Sequence, residues 1–462
     1  MPQSMVLPVL LLLACRLSSA ETYDPTAFPG AEGYGRFSKG GRGGDVYHVT
    51  TAADDGQGSL RDAIRTIKPG TPRTVVFETG GTVRLKKALE IKGVRGLTLA
   101  GQTAPGGGIA VADHAVKFSD CEDVVVRHMR FRLGDRDRTS DDVIELGSGT
   151  KACRNFILDH VSATWGVDGI MDAYSVDGFT MQWCLFGEAL NDSTHHKREP
   201  HAMLMSFRTT RGNVSIHHNL LFSSRDRHPT LGGGLPAKSN VEAIFDFRNN
   251  VIYNWEGACN LASGRFSLVG NLWRPGPDTR PYEMEMPIAP KAEAQDVTRG
   301  WLDANVFEGH EAWSRDNYLA FQWGVRGGKY VGEVTREKFI LAREPTSAED
   351  RPITHPATEL FERVLSHAGA GPARDSADKR IVQGVRDRTN RRIDSQDEVG
   401  GWPELAPGKA PEDRDRDGMA DAWESSNGLD PADPTDRNRR TPDGRTWLET
   451  YLHDLTKVGT AR

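Results

Sequence analysis

Seven β-rich runs of one character recur along the middle of the chain: LTLAGQ, VVVRHMRFR, FILDHVSAT, FTMQWCLFG, VSIHHNLLF, AIFDFRNNVIYN and FSLVGNLWR. They start at residues 97, 124, 156, 179, 214, 243 and 266. A repeat this short cannot bury its apolar face alone and must stack on its neighbours, so the pattern predicts the coils of a solenoid. Spacings of 23 to 35 residues, β-branched residues in each run and no helical period between runs point to a parallel β-helix with loops of uneven length. A propeller also repeats, but at about 40 residues per blade with four antiparallel strands in each, and hairpin signals such as Asn-Gly are missing here. The expected fold is all-β: a single-stranded right-handed parallel β-helix over residues 21–340. A helical extension and linker follow over 341–411, then a small calcium-loop module over 412–455.

Local signals fit that plan. Asn219, Asn249, Asn250 and Asn271 recur after the apolar runs and are expected to stack their amides coil on coil. Ser59 with Asp62 three residues later has capping-box spacing, which predicts a short helix closing the solenoid end. Upstream, AEGYGRFSKGGRGG is rich in glycine but lacks the Lys-Ser/Thr ending of a phosphate loop, and reads as close-packed backbone at the solenoid start. ATELFERVLSHAG carries apolar residues at helical spacing, and GGWPELAPGKAPEDRD reads as a linker.

The first twenty residues read as an export signal: an apolar core from Val6 to Ala14, then Ser18, Ser19 and Ala20. Cleavage after Ala20 gives a secreted protein; Leu12-Leu13-Ala14-Cys15 also resembles a lipobox, and a lipid anchor on Cys15 is the alternative. No stretch reaches the ~20 apolar residues of a membrane span. A formal net charge of -6 argues against general binding to nucleic acid or membrane surfaces. Beyond Cys15 the thiols are Cys121, Cys153, Cys184 and Cys259, with no CxxC pair; they read as small buried residues, with one disulfide possible outside the cytoplasm.

The clearest motif is DRDRDGMADAWE. Calcium takes six to eight hard oxygen ligands, and a 12-residue loop supplies them from positions 1, 3, 5, 7, 9 and 12 with glycine at 6. Those positions are Asp413, Asp415, Asp417, the Met419 carbonyl, Asp421 and Glu424, with Gly418 at the turn. DPTDRNRRTPDG offers a degenerate second half-site in Asp433, Asp436, Asn438 and Asp443. The module resembles the dockerin or thrombospondin type 3 calcium repeats, which implies folding or attachment rather than chemistry.

A second group of acids lies in the coils: Asp142 in SDDVIEL, then Asp168 and Asp172 in GVDGIMDA. On adjacent coils such acids stack about 4.8 Å apart and form a pocket suited to calcium. Two coils later SSRDRHPTLGGG carries Arg227 before His228-Pro229. Here LDHVSATWGVDGIMD resembles the DG-x-x-D segment of the pectate lyases, VSIHHNLL their strand before the active arginine, and RHP their Arg-x-Pro. FPGAEGYGRFSKGGRGG, GSLRDAI, LAGQTAPGGGI, FDFRNNVIYNW and DRDGMADAWE resemble Bacteroidetes-type members of the group.

The resemblance implies β-elimination on a polyuronate, most simply polygalacturonate, by a monomer acting on acidic polysaccharide. Calcium on Asp142, Asp168 and Asp172 would bind the C6 carboxylate, and Arg227 would take the C5 proton. A guanidinium is normally protonated throughout, so an arginine base needs nearby positive charge, and activity is expected to favour alkaline pH. Lys197 stands as the counterpart of the family's substrate-binding lysine. Arg225 competes with Arg227 for the base or joins Lys197 on substrate; only Arg227 has the x-Pro after it. Thr230 occupies the place where many members carry a second arginine, and Gly232 to Gly234 supply no cation.

Other readings compete. Asp159 and His160 fit a structural hydrogen-bonded pair. His195-His196 and His217-His218 suggest zinc, but adjacent residues of a strand point to opposite faces, which disfavours it. Asp168 and Asp172 could serve as the acid pair of a glycoside hydrolase on the same fold, leaving Arg227 without a role. A non-catalytic polysaccharide-binding helix or adhesin is the alternative from another class.

Overall fold

The computed structural model describes residues 25–457 apart from 211, 235–241, 258, 281–287, 291–297, 322–324, 327–328, 331–335 and 372. The export segment, with Cys15, lies outside the described residues. Among the described residues three large sheets have ten, nine and eight strands, and every pairing in them is parallel. One coil shows the plan: Cys153–Asp159, Ser162–Thr164 and Gly169–Tyr174 belong to three different sheets, and Val176–Gln182 returns to the first. Parallel crossovers of this kind are right-handed, and the chain is a right-handed parallel β-helix.

All seven recurring runs include strands of the ten-stranded sheet, from Arg95–Ala100 to Gly264–Val269. Their inward positions are in register: Phe156, Phe179, Val214, Phe245 and Phe266 pair in sequence across five coils, all fully buried. Burying one such side chain contributes about 1.5–3 kcal/mol, and the repetition builds one continuous core. The expected cap helix is present over Leu60–Arg65, with Ser59 Oγ accepting from Asp62 N at 3.1 Å.

The turn between the first two sheets explains the polar repeats. It is two residues long, and its first residue is left-handed: His128, His160, Trp183, His218 and Asn249 have φ between +49° and +57°. These side chains stack outside the coil; His128 lies over His160 at 4.9 Å and Trp183 over His218 at 4.4 Å. The second residue points inward, and from Asn219 to Asn250 to Asn271 to Asn305 it forms an amide ladder that ends on Asn317 of a short 3-10 helix, at 2.8–3.0 Å per step. Asn249 therefore differs from its expected place. It is a turn residue whose amide bonds the carbonyls of Gly270 and His355.

The glycine-rich segment is close-packed, as expected, but it runs across the outer face of the ten-stranded sheet rather than sitting at its end. Gly35 N donates to Thr180 at 2.8 Å and Gly41 N to Thr98 at 2.9 Å, and a Cβ on Gly35 would stand 2.4 Å from the Phe156 carbonyl. Helices Ala357–His367 and Ser376–Asp387 cover the nine-stranded sheet through Leu360, Val364, Ile381 and Val385. The chain then turns back: Gly80 N and Gly107 N donate to Pro407 and Ala406. Residues 412–455 pack on the first coils, with Met419, Leu448 and Leu452 against Val76 and Ala100, and Arg42 paired to Glu449 at 2.7 Å. The C-terminal module shares a core with the start of the solenoid.

Candidate active site

Four neighbouring strands of the eight-stranded sheet frame the cleft: β1 (Ile144–Leu146), β2 (Gly169–Tyr174), β3 (Met203–Arg208) and β4 (Thr230–Leu231). Their register sets Glu145, Asp172, Ser206 and Thr230 in one row. Alternation along a strand puts every second residue on the same face, so Tyr174 and Arg208 share it with Asp172 and Ser206. Asp172 is the hub. It accepts from the Ser206 hydroxyl, lies 3.4 Å from the Tyr174 hydroxyl, and faces the guanidinium groups of Arg208 at 3.6 Å and Arg227 at 3.7 Å.

Asp142 enters from the loop before β1, only 7% exposed. A Cβ at Gly169 would stand 2.5 Å from its Oδ1, which is why the DG pair is required beside this acid. Burial first, then the charges of Asp172 and Asp168, push its carboxyl well above the ordinary range. A buried carboxyl resisting ionisation among like charges is stabilised as an anion by a cation. Asp168 is held differently: its Oδ1 lies 2.7 Å from His201 Nε2 and 3.9 Å from His195 Nε2.

Arg227 sits on the turn into β4 at φ +64°, a conformation that costs a residue with a side chain about 1–3 kcal/mol and that aims its guanidinium at Asp172. The peptide after His228 is cis. Thus Asp142, Asp168, Asp172 and Arg227 come together. Arg225 does not join them: its guanidinium holds the Pro200 carbonyl at 2.6 Å and faces Glu256 at 3.9 Å, tying a loop. Lys197 is exposed on the same loop, near enough for its charge to reach His195 and His201.

Two residues were missed, Arg208 and His201. Arg208 supplies a second guanidinium from the coil before the one where Thr230 stands; the readable signal was its alternation with Ser206 on a strand whose neighbour carries Asp172. His195 was set aside on the premise of a strand. It lies on the loop between Leu185–Gly187 and β3, so the opposite-face argument does not apply; its ring stacks on His201 at 3.9 Å and touches His196 at 4.3 Å. Asp159 is buried and accepts from Arg127 and Gln182 at 2.7 Å each, while His160 Nδ1 faces it at 3.0 Å. Cys121 and Cys153 lie on adjacent coils close enough for their thiols to interact, and all four described cysteines are free and buried.

The C-terminal loop closes as a cage with one change of ligand. Asp413, Asp415 and Asp417 bring oxygens within 4.8 Å of one another, as do Asp417, Glu424 and Asp436. Gly418 makes the turn at φ +95°. Asp421 instead accepts from Arg414 N at 2.8 Å and faces the Arg414 guanidinium at 3.3 Å. Asp436, expected in a second half-site, contributes to the first. Asp415, Asp417, Glu424 and Asp436 all hold buried carboxylate oxygens without a hydrogen-bond partner. Burial and mutual repulsion push Asp417 up to about 7 and Glu424 up to about 8. This donor set fits calcium.

Fold and cleft together define a parallel β-helix protein with an acid-and-arginine groove on one sheet. No protein-family model matches the chain. It is 31% identical to probable pectate lyase C of Emericella nidulans over 98% of this chain and 97% of that protein. It is also 31% identical to probable pectate lyase C of Aspergillus flavus over 96% and 97% respectively. Among solved structures, a Bacillus pectate lyase in complex with trigalacturonate shares 14% identity at a TM-score of 0.49, over 74% of this chain and 99% of that one. The chain belongs to the pectate lyase family.

Proposed function

We propose that the protein is an exported pectate lyase that cleaves polygalacturonate by calcium-assisted β-elimination, with Arg227 as the base. The observation that carries this reading is the approach of Arg227 and Arg208 to Asp172, with the buried Asp142 beside it. Asp142, Asp168 and Asp172 would hold the ion. Calcium, when bound, supplies positive charge at the substrate C6 carboxylate, where negative charge develops as the C5 proton leaves.

The chain's own residues do the rest. Arg208, fixed by Ser206 and Tyr174 at 3.2 Å each, is a rigid fork for a second uronate carboxylate. Arg227, held by its turn, takes the proton from C5, and the C5 electron pair forms the C4=C5 double bond as the glycosidic oxygen departs from C4. Lys197 lines the approach. The motifs shared with Bacteroidetes-type members support that subgroup, and the signal-like first twenty residues support export. Asp413, Asp415, Asp417, Glu424 and Asp436, with the Met419 carbonyl, would hold a structural calcium.

Incubation with polygalacturonate, with and without chelator, tests the reading through the ultraviolet absorbance of an unsaturated product. Reducing ends without that absorbance mean a hydrolase, and retained binding without cleavage means a binding module. Arg227→Ala should lose about 10²–10⁴ in rate, the usual contribution of a positioned base, while Arg225→Ala stays active.

A further inference from the structure

His195 and His201 lie on the loop that leads into β3, and their rings stack face to face with centroids 3.9 Å apart. Both present Nε2 to the same oxygen of Asp168, at 3.9 Å and 2.7 Å. One donor atom from each of the three residues falls within 4.8 Å of the others. His195 is 2% exposed, and its Nε2 is buried without a hydrogen-bond partner. An unsatisfied buried nitrogen costs about 1–3 kcal/mol, and here it is aimed at a carboxylate across a gap of ionic size. Calcium takes oxygen ligands. Two imidazoles with one carboxylate suit first-row transition metals instead.

We propose that Asp168, His195 and His201 bind a divalent transition-metal ion of the zinc or cobalt class beside the uronate groove. The proposal takes the position of the groove from the lyase reading and none of its chemistry. Both imidazoles address Oδ1 of Asp168, which leaves Oδ2 for an ion shared with Asp142 and Asp172. In the metal-free protein the Lys197 N–H donates to His195 Nδ1 at 3.4 Å, a long contact that places the ring proton on Nε2. Metal entry replaces that proton; the ring becomes protonated at Nδ1 and releases the Lys197 contact, on a loop exposed from His196 to Pro200.

The test uses the full chain, stripped with chelator and returned to excess calcium so that the C-terminal cage is filled, then titrated with cobalt(II) while the visible ligand-field spectrum is followed. One equivalent should bind and be displaced by zinc, with affinity about tenfold or more weaker in His195→Gln and in His201→Gln. X-ray absorption on the cobalt-loaded parent protein serves if a variant fails to fold, and should show imidazole scattering. Absence of stoichiometric binding in calcium, an all-oxygen shell, or unchanged affinity in both folded variants would overturn the proposal. None of these readouts needs turnover. An inactive protein that binds cobalt through imidazole would sink the lyase reading alone, and an active one that binds none would sink only this site.

Discussion

At the C-terminal cage, carboxylates from Asp413, Asp415, Asp417, Glu424 and Asp436 crowd together, and all but Asp413 hold buried oxygens without a hydrogen-bond partner among the described residues. In the groove, each acid except Asp142 has a cationic or donor partner: Arg208 and Arg227 on Asp172, His201 on Asp168. The first arrangement is incomplete without an ion, because carboxylates so placed repel one another and resist ionisation. The second is largely balanced by its own side chains. The difference teaches where a bound metal would act: at the cage it would complete the fold, and in the groove it would complete the chemistry. Removing metal with a chelator strikes both at once, so substitutions are needed to separate them.

The sharpest separation pairs Asp168→Asn with Asp415→Asn. The first should lower kcat/KM by about 10²-fold or more, the scale of losing a group that stabilises developing charge, with little change in the thermal midpoint. The second should forfeit the stabilisation calcium gives, roughly 4 kcal/mol at a thousandfold excess over its Kd, read as a lower unfolding midpoint in calcium. Asp436→Ala should match Asp415→Asn, and Asp421→Ala should not, because Asp421 is turned to Arg414. Matching losses at Asp421 and Asp436 would break the assignment of ligands.

A pH series on metal-free protein probes the same contrast. Asp417 and Glu424 are raised to about 7 and about 8 when folded, against about 4 in an unfolded chain. The folded state therefore holds more protons between those values, and stability falls as pH rises. This contribution is fully present below about pH 4 and is lost as pH passes through 7 and 8. Saturating calcium should abolish the decline, since the bound ion takes the place of the protons. A metal-free unfolding midpoint that climbs from pH 5 to pH 9 would count against the cage.

The two regions also differ in how far they can be read from sequence. The cage is mostly local: four of its carboxylates lie within twelve consecutive residues, and their spacing with Gly418 announces them. Asp436 was placed in a second half-site instead, because proximity across a helix and turn leaves no spacing rule. The groove is assembled from coils, and its neighbours are set by register: Asp172 meets Ser206, 34 residues later. The recurring runs disclosed the ten-stranded sheet, whose inward phenylalanines repeat plainly. They stopped short of the eight-stranded sheet, where loops of unequal length precede each strand and erase the period. Arg208 and His201 were hidden for that reason, and Asn249 was misplaced because side-chain type alone does not tell an inward residue from a left-handed one.

Within the groove, the residues around Asp172 rank by how firmly each is held. Arg208→Ala removes a charge-assisted contact to a carboxylate, worth about 1.5–3 kcal/mol, and should raise KM roughly tenfold to a hundredfold while kcat changes less. Arg208→Lys should recover only part of the loss, since an ammonium cannot hold Ser206, Tyr174 and Asp172 in one plane. An effect on kcat alone would move Arg208 from binding to the chemical step.

Lys197 closes the series at its weak end. Its side chain is exposed, and a solvent-screened charge contributes about 0–1 kcal/mol, so Lys197→Ala should raise KM by no more than about threefold to fivefold, with the effect fading as salt is added. Arg208 is part-buried and braced, and its contribution should persist in the same salt series. The two salt profiles together show whether the groove grips its polyanion through fixed donors in the sheet or through diffuse charge on the loop above it. A Lys197→Ala loss as large and as salt-resistant as that of Arg208→Ala would mean that the loop closes over substrate and buries the lysine, and the main grip on the uronate chain would then lie on the loop rather than on β3.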